Sequence, residues 1–312
     1  MQQELKYQIV AAAQEYAQQN NLTNNDIANK TKINAGYLSN MFRNQFAVTV
    51  AGKQVEISDT WFYKLAEFCG LAIKKQYWGT VQTRQFVEVI SSLEAAKKSG
   101  TVSVIICDTG LGKTYAVDKF SHTHPLHTYK VTVSDAHKLK DILIEILDQL
   151  HIPAQYGNAA KILSIANRLK ELKRNGHKPQ VILDEAENLK LPVIKSLKAL
   201  YDFCNGYASI TLIGTQQLID GLIKMKKKDK GGVPQFYRRI KASIRYINTS
   251  FDFTPFFEKH EIEKPLRRLL HQLCENYGEL HDYLEPALRE ADERDEPLTE
   301  DLFRMIYNMP KY

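Results

Sequence analysis

Cysteine is scarce and scattered in this sequence of 312 residues. Cys69, Cys107, Cys204 and Cys274 include no pair at C-x-x-C spacing, which argues against a disulfide framework and against a zinc knuckle. Long apolar runs are also missing. The longest, Val102 to Cys107, is far short of the roughly 20 residues that span a bilayer, and the Met1-Gln2-Gln3-Glu4 start lacks a charged-then-apolar signal region. These absences lead us to expect a cytoplasmic protein with no membrane partner. There is no internal repeat, low-complexity tract or heptad series. What remains, 44% hydrophobic and 25% charged residues, is the composition of a core-forming protein of two or three compact units.

The formal net charge of +6 conceals a strong asymmetry. Residues 251–312 carry 15 acidic and 8 basic side chains, net −7, leaving 34 basic against 21 acidic, net +13, on residues 1–250. Affinity for nucleic acid comes mainly from local phosphate neutralisation, so the basic part can meet a polyanion and the acidic tail cannot.

Residues 1–70 read as short helices. Leu5, Ile9, Ala12, Ala13 and Tyr16 recur at helical spacing. Residues 24–43 then carry two short helical patterns broken around Lys32 to Asn34, the spacing of a helix-turn-helix. Ile27, Ile33, Leu38 and Met41 face a shared core, with Asn34, Tyr37, Asn40 and Asn44 on the opposite face. A further helix spans Asp59 to Phe68, completing an all-α domain, and residues 71–81 read as a linker. From 82 to 250, apolar runs at Val102–Cys107, Thr128–Val133, Gln180–Asp184, Ser209–Gly214 and Ser243–Asn248 alternate with helical pattern. That alternation predicts an α/β core with a five-stranded parallel sheet covered on both faces. Residues 251–312 read as a small helical lid, with helices near 262–276, 279–291 and 299–308.

The run Cys107-Asp108-Thr109-Gly110-Leu111-Gly112-Lys113-Thr114 follows the first strand of this core, opens a helix and reads as a P-loop. In that geometry backbone N–H groups from Asp108 to Tyr115 and the helix N-terminus surround the β-phosphate, Lys113 reaches the β/γ oxygens, and the Thr114 hydroxyl binds Mg²⁺. Cys107 stands where the motif has its first glycine, and removes no phosphate ligand. About 70 residues on, Val181-Ile182-Leu183-Asp184-Glu185 is an apolar strand ending in two carboxylates. Asp184 suits Mg²⁺ held through water, and Glu185 suits the role of general base toward the attacking water. The predicted cofactors are therefore ATP and Mg²⁺. Thr215, after the fourth strand, either senses the γ-phosphate or caps the following helix. Arg238 and Arg239 precede the fifth strand, as a guanidinium finger toward a neighbouring subunit or as a basic surface pair.

With these motifs in this order, the chain resembles the AAA+ ATPases, and within them the MuB-like transposition helper ATPases of transposable phages. The resemblance is colinear over nearly the whole length. It takes in the amino-terminal helix-turn-helix, the Thr80–Gln85 lead-in, the P-loop, Leu183-Asp184-Glu185-Ala186-Glu187-Asn188-Leu189, Gly214-Thr215 and Arg239-Ile240. It implies an ATPase that forms an ATP-dependent helical homo-oligomer on double-stranded target DNA and delivers that DNA to a transposase. Hydrolysis, stimulated by DNA and transposase, then releases it. By position, Lys113, Thr114, Asp184 and Glu185 would be the nucleotide and catalytic residues, Thr215 sensor 1 and Arg239 the finger. Gly278-Glu279-Leu280-His281 puts His281 where related proteins have a sensor-2 arginine, which implies slow hydrolysis. A helicase loader or replication initiator, and a nucleotide-switched helix-turn-helix regulator, are the alternatives.

Three basic groups compete for DNA. Lys138 and Lys140 open the helix after the second core strand. Lys161, Arg168, Lys170, Lys173 and Arg174 lie on the helix before Asp184, and Lys224, Lys226, Lys227, Lys228 and Lys230 precede Gly231-Gly232. All would contact phosphates and carry little sequence information. In the helix-turn-helix, Asn34, Tyr37 and Asn40 can reach base edges or phosphates, or the module can be a structural bundle.

Overall fold

The computed structural model describes residues 3–50, 53–71 and 77–310. The chain divides into two compact units, 1–77 and 78–312. Residues 72–76, within the linker expected from the sequence, lie outside the described residues.

The first unit contains α1 (Gln3–Gln19), α2 (Asn24–Thr31), α3 (Ala35–Phe42), β1 (Ala47–Val50), β2 (Lys53–Glu56) and α4 (Asp59–Phe68). Thr23 starts α2 through a reciprocal capping box with Asp26. Lys32 ends it in the left-handed conformation, φ 57°, where the sequence has no glycine to ease the turn. Ile9, Ile27, Ile33, Leu38, Met41, Phe62 and Leu65 form one buried cluster, as the helical periodicity predicts. The antiparallel hairpin β1–β2, with Ala47 opposite Glu56, adds strands to a unit expected to be all helical. The alternation of Phe46 and Val48, and of Val55 and Ile57, was its signal. Phe46 lies edge-on to Phe62 at 5.2 Å and ties the hairpin to α4.

The second unit begins with α5 (Arg84–Ser99) and β3 (Val102–Ile106), followed by α6 (Lys113–Thr123), β4 (Thr128–Thr132), α7 (Leu139–Gln149) and α8 (Asn158–Arg174). Then come β5 (Gln180–Asp184), α9 (Leu191–Cys204), β6 (Ser209–Gly214), α10 (Gln216–Lys227), α11 (Val233–Ile240) and β7 (Ile244–Tyr246). The five strands are parallel in the order β4-β5-β6-β3-β7. Central strands β3, β5 and β6 are buried throughout, so they read as continuous apolar runs. Successive side chains still alternate between faces. Val104, Val181, Leu183 and Leu212 join the α7–α11 side, while Ile105, Ile182 and Ile213 join the α5–α6 side.

After the sheet come α12 (Thr254–Lys259), α13 (Lys264–Leu273), α14 (Tyr277–Glu293) and α15 (Glu300–Ile306). Phe256, Phe257, Leu266, Leu280 and Phe303 are continuous with the α5–α6 core, so this acidic segment is docked on the five-stranded sheet by apolar packing. Among the described residues no helix is long and apolar enough to cross a membrane.

Candidate nucleotide site

Parallel strands with helical crossovers bring their carboxyl ends to one edge of the sheet, and that edge gathers the motif residues. β3 runs into the loop 107–112, whose Cys107 N–H donates to the Gly214 carbonyl at 2.9 Å and thereby ties it to the end of β6. Gly110 and Gly112 hold φ of 77° and 79°, and Gly112 caps α6 without a side chain, leaving the first-turn N–H groups of Lys113, Thr114 and Tyr115 open to an anion. Leu111 is buried beneath the loop, and Asp108, Thr109 and Thr114 are exposed. Tyr115 shares a 2.5 Å hydrogen bond with Thr80, fastening the lead-in to α6.

Cys107 is buried in the α5–α6 core, and burial pushes its thiol up to about 12. Its substitution for glycine therefore places a packed apolar group under the loop, with no reactive thiolate. In native protein treated with iodoacetamide and mapped by mass spectrometry, we expect half-buried Cys69 to be labelled first and Cys107 to remain unlabelled. Early labelling of Cys107 would contradict this.

Asp184 ends β5 wholly buried, with Oδ1 accepting the Glu185 N–H at 3.0 Å. Glu185 itself is left-handed, φ 55° and ψ 42°, a conformation that costs a non-glycine residue on the order of 1 kcal/mol and turns its half-buried side chain out of the strand path. Glu187, to which the sequence assigns no role, is the carboxylate that faces the P-loop: its Oε1 is 3.7 Å from Lys113 Nζ. Gly214 makes this possible, since a Cβ there would lie 2.4 Å from Glu187 Oε2. A second unforeseen residue, Lys130 of β4, stands 3.5 Å from Asp184 Oδ2.

Asp184 Oδ2, Glu187 Oε2 and Thr215 Oγ1 are buried without a hydrogen-bond partner among the described residues. Buried oxygens in that state call for a donor or cation. Together with the Thr114 hydroxyl, these hard oxygen donors fit Mg²⁺, which binds through one or two protein oxygens plus phosphates. Among the described residues no three His, Cys, Asp or Glu side chains group to hold a metal by themselves. The rings of His122 and His124 are bonded to backbone carbonyls along α6.

The lid reaches the loop directly. The Gly278 N–H donates to the Gly110 carbonyl at 3.1 Å, and a Cβ on Gly110 would fall 2.3 Å from Asn276 Cγ. His281 is one turn further along α14, exposed, bonded to Asp282 at 3.0 Å and edge-on to Trp78 at 5.1 Å. Arg239 is half-buried, ion-paired with Asp202 and stacked over Tyr201 at 5.4 Å, while Arg238 is exposed.

The DNA candidates differ in availability. Lys138 and Lys140 are exposed at the start of α7, where Asp141 takes the Lys138 N–H. The turn before them is braced by Lys190, which donates to the Asp135 carbonyl, and by Asn188, which donates to that of Val133. The α8 group is largely engaged. Lys161 is buried and donates to the Gln155 carbonyl, which removes it from any DNA surface; Arg168 pairs with Glu171, and Lys170 lies over Tyr207. Lys173 is half-buried. Lys224, Lys226, Lys227, Lys228 and Lys230 are exposed at the end of α10. In the first unit, exposed Asn34 caps α3 through the Gly36 N–H, Tyr37 lies edge-on to Trp61 at 6.3 Å, and Asn40 is half-buried.

The sheet order, the P-loop at the end of β3 and the acidic end of β5 define an AAA+ P-loop ATPase fold. Residues 96–222 match the family model of the AAA domain. The chain is related to a transposition protein: it is 23% identical over 238 residues to the Mu-like prophage FluMu DNA transposition protein B of Haemophilus influenzae, covering 75% of this chain and 76% of the relative. Among solved structures, the ORC2 protein of Aeropyrum pernix in its ADPNP–ADP complexes shares the fold with a TM-score of 0.52 at 18% identity, covering 73% of this chain and 68% of that one. Cdc6p from Pyrobaculum aerophilum gives 0.52 at 12% identity over 72% and 66% of the two chains. The A. pernix ORC1 protein in complex with DNA gives 0.51 at 12% identity over 74% and 66%.

Proposed function

We propose that this protein is a DNA-binding ATPase of a transposition system: with ATP it assembles as a helical filament on double-stranded target DNA, presents that DNA to a transposase, and leaves on hydrolysis. The observation that carries this reading is the assembled nucleotide site, with Lys113, Asp184, Glu185 and Thr215 at one sheet edge, in a chain that is related along three quarters of its length to transposition protein B. The initiator structures share the fold, which a loader and a transposition helper have in common, and do not choose between them.

In this mechanism the N–H groups of residues 110–115 and the positive end of α6 take the β-phosphate, and Lys113 leaves Glu187 for the β/γ oxygens. Mg²⁺, held by Thr114 and Asp184, would neutralise charge between the phosphates when bound. Glu185 accepts a proton from the attacking water, and Thr215 orients the γ-phosphate. Arg239, released from Asp202, completes the site of the adjacent subunit, which couples turnover to assembly. His281 lies beside Trp78 and leaves the lid contact to Asn276 and Gly278, in keeping with slow turnover.

Lys138 and Lys140 contact DNA phosphates. Each phosphate contact contributes about −0.9 to the slope of log K against log salt. Charge reversal of both is expected to flatten the slope by about 2, measured by fluorescence anisotropy on duplexes of unrelated sequence; an unchanged slope removes this assignment. Deletion of residues 1–70 tests whether Asn34, Tyr37 and Asn40 act as a helix-turn-helix on DNA, and undiminished affinity would exclude them. The whole reading is tested by negative-stain microscopy with ATP, with ADP, and with Glu185→Gln plus ATP. Filaments that require ATP, persist in the variant and ignore sequence support it. Discrete, sequence-dependent binding indifferent to nucleotide overturns it in favour of a regulator.

A further inference from the structure

The nucleotide site contains a lysine that its motifs do not require. Lys130 lies on edge strand β4, its carbonyl bound by Gln149 Nε2 of α7, so the strand is fastened where the side chain leaves it. Its ammonium donates to Asp118 Oδ1 on α6 and stands 3.5 Å from Asp184 Oδ2. The two carboxylates are unlike. The Asp118 side chain is 49% exposed, whereas that of Asp184 is 0% exposed and has no hydrogen bond to Oδ2 among the described residues. A carboxylate buried this deeply needs an opposite charge close by, and the ammonium beside Asp184 is that of Lys130.

We propose that Lys130 is a positioning residue that takes the metal's place: it neutralises Asp184 before nucleotide binds, then yields Asp184 to Mg²⁺ and is retained by Asp118 alone. The inference rests on Asp184 as a magnesium ligand. Two cations cannot share Oδ2 without repulsion, so Lys130 and Mg²⁺ compete for it. Asp118, one turn beyond Thr114 on α6, gives the displaced ammonium a solvated partner within its present reach, so that no new buried charge is left behind.

The test is thermal melting of the full chain in EDTA and across a magnesium titration at fixed ADP. In EDTA, Lys130→Met is expected to melt about 5 °C below wild type. With Mg·ADP most of that deficit disappears, and the magnesium concentration giving half the ADP-dependent shift falls about tenfold. Asp118→Asn, a change on the exposed side, pushes the lysine onto Asp184 and is expected to raise that midpoint severalfold. An equal Lys130→Met deficit with and without Mg·ADP would make the lysine merely structural and overturn the proposal. So would a midpoint unmoved in Asp118→Asn, should the methionine variant fail to fold. A wild-type chain stabilised by ADP identically in EDTA and in magnesium would show instead that Asp184 is not the metal ligand, and the proposal falls with that reading.

Discussion

Glu185→Gln is expected to lower ATP turnover at least about 100-fold while leaving nucleotide affinity within about threefold of wild type. A general base contributes roughly 10² to 10⁴ to rate, and the amide keeps the size and hydrogen-bonding capacity of the side chain while losing its basicity. The backbone turn that aims this residue is held by the Asp184 carboxylate on its N–H, which the substitution does not touch. Glu187 is the internal control. Two residues on, it is committed to Lys113 at 3.7 Å, and its amide variant should release that lysine, raise nucleotide affinity and leave turnover within about tenfold. Steady-state phosphate release and titration with a fluorescent nucleotide distinguish the two. Loss of turnover in Glu187→Gln with retention in Glu185→Gln would reverse the assignment.

Lys113→Met is expected to abolish measurable nucleotide binding and also to destabilise the empty protein. The second effect follows from the first residue's partner. Lys113 and Glu187 side chains are only 11% and 14% exposed, so removing the ammonium strands a carboxylate in a site already containing unpartnered oxygens. Breaking a fully buried pair costs about 3–5 kcal/mol, and the residual exposure and 3.7 Å separation here reduce that to about 1–3 kcal/mol. The double variant Lys113→Met/Glu187→Gln should recover most of the stability and none of the binding. Chemical denaturation of the three proteins measures the coupling. Additive losses would mean that the pair contributes nothing to the empty fold.

Glycine requirements at this edge were visible only in part. The sequence motif asks for Gly112 on conformational grounds, and both it and Gly110 within the loop have positive φ. It is silent on Gly214, whose φ is ordinary for any residue. That glycine is needed because Glu187 packs against it, a contact between residues 27 positions apart on neighbouring elements. Gly110 likewise answers to Asn276, more than 160 residues away.

Local chemistry was sufficient for much of the architecture. Apolar runs broken by helical periodicity identified five parallel strands, most plainly the three central ones, because a strand covered on both faces is apolar at most positions, and glycines before Lys113-Thr114 identified the phosphate loop. The hairpin Ala47–Glu56 escaped because two four-residue strands carry too short an alternation to stand out beside helical segments. Strand order, by contrast, is set by which crossovers pack, and placing β6 between β3 and β5 is what puts Gly214 and Thr215 beside both phosphate loop and acidic strand end. Ion pairing is also a tertiary matter. Nothing in Thr128-Tyr129-Lys130-Val131-Thr132 announces that its lysine meets Asp184, nor does the chain near Arg239 announce Asp202. The helices, the core strands and the phosphate-binding chemistry were legible in the chain alone, since they are written in local patterns of residues. The counter-ions that balance that chemistry were decided by the tertiary structure, because a buried charge is paired by whatever the fold brings within a few ångströms, irrespective of distance along the chain.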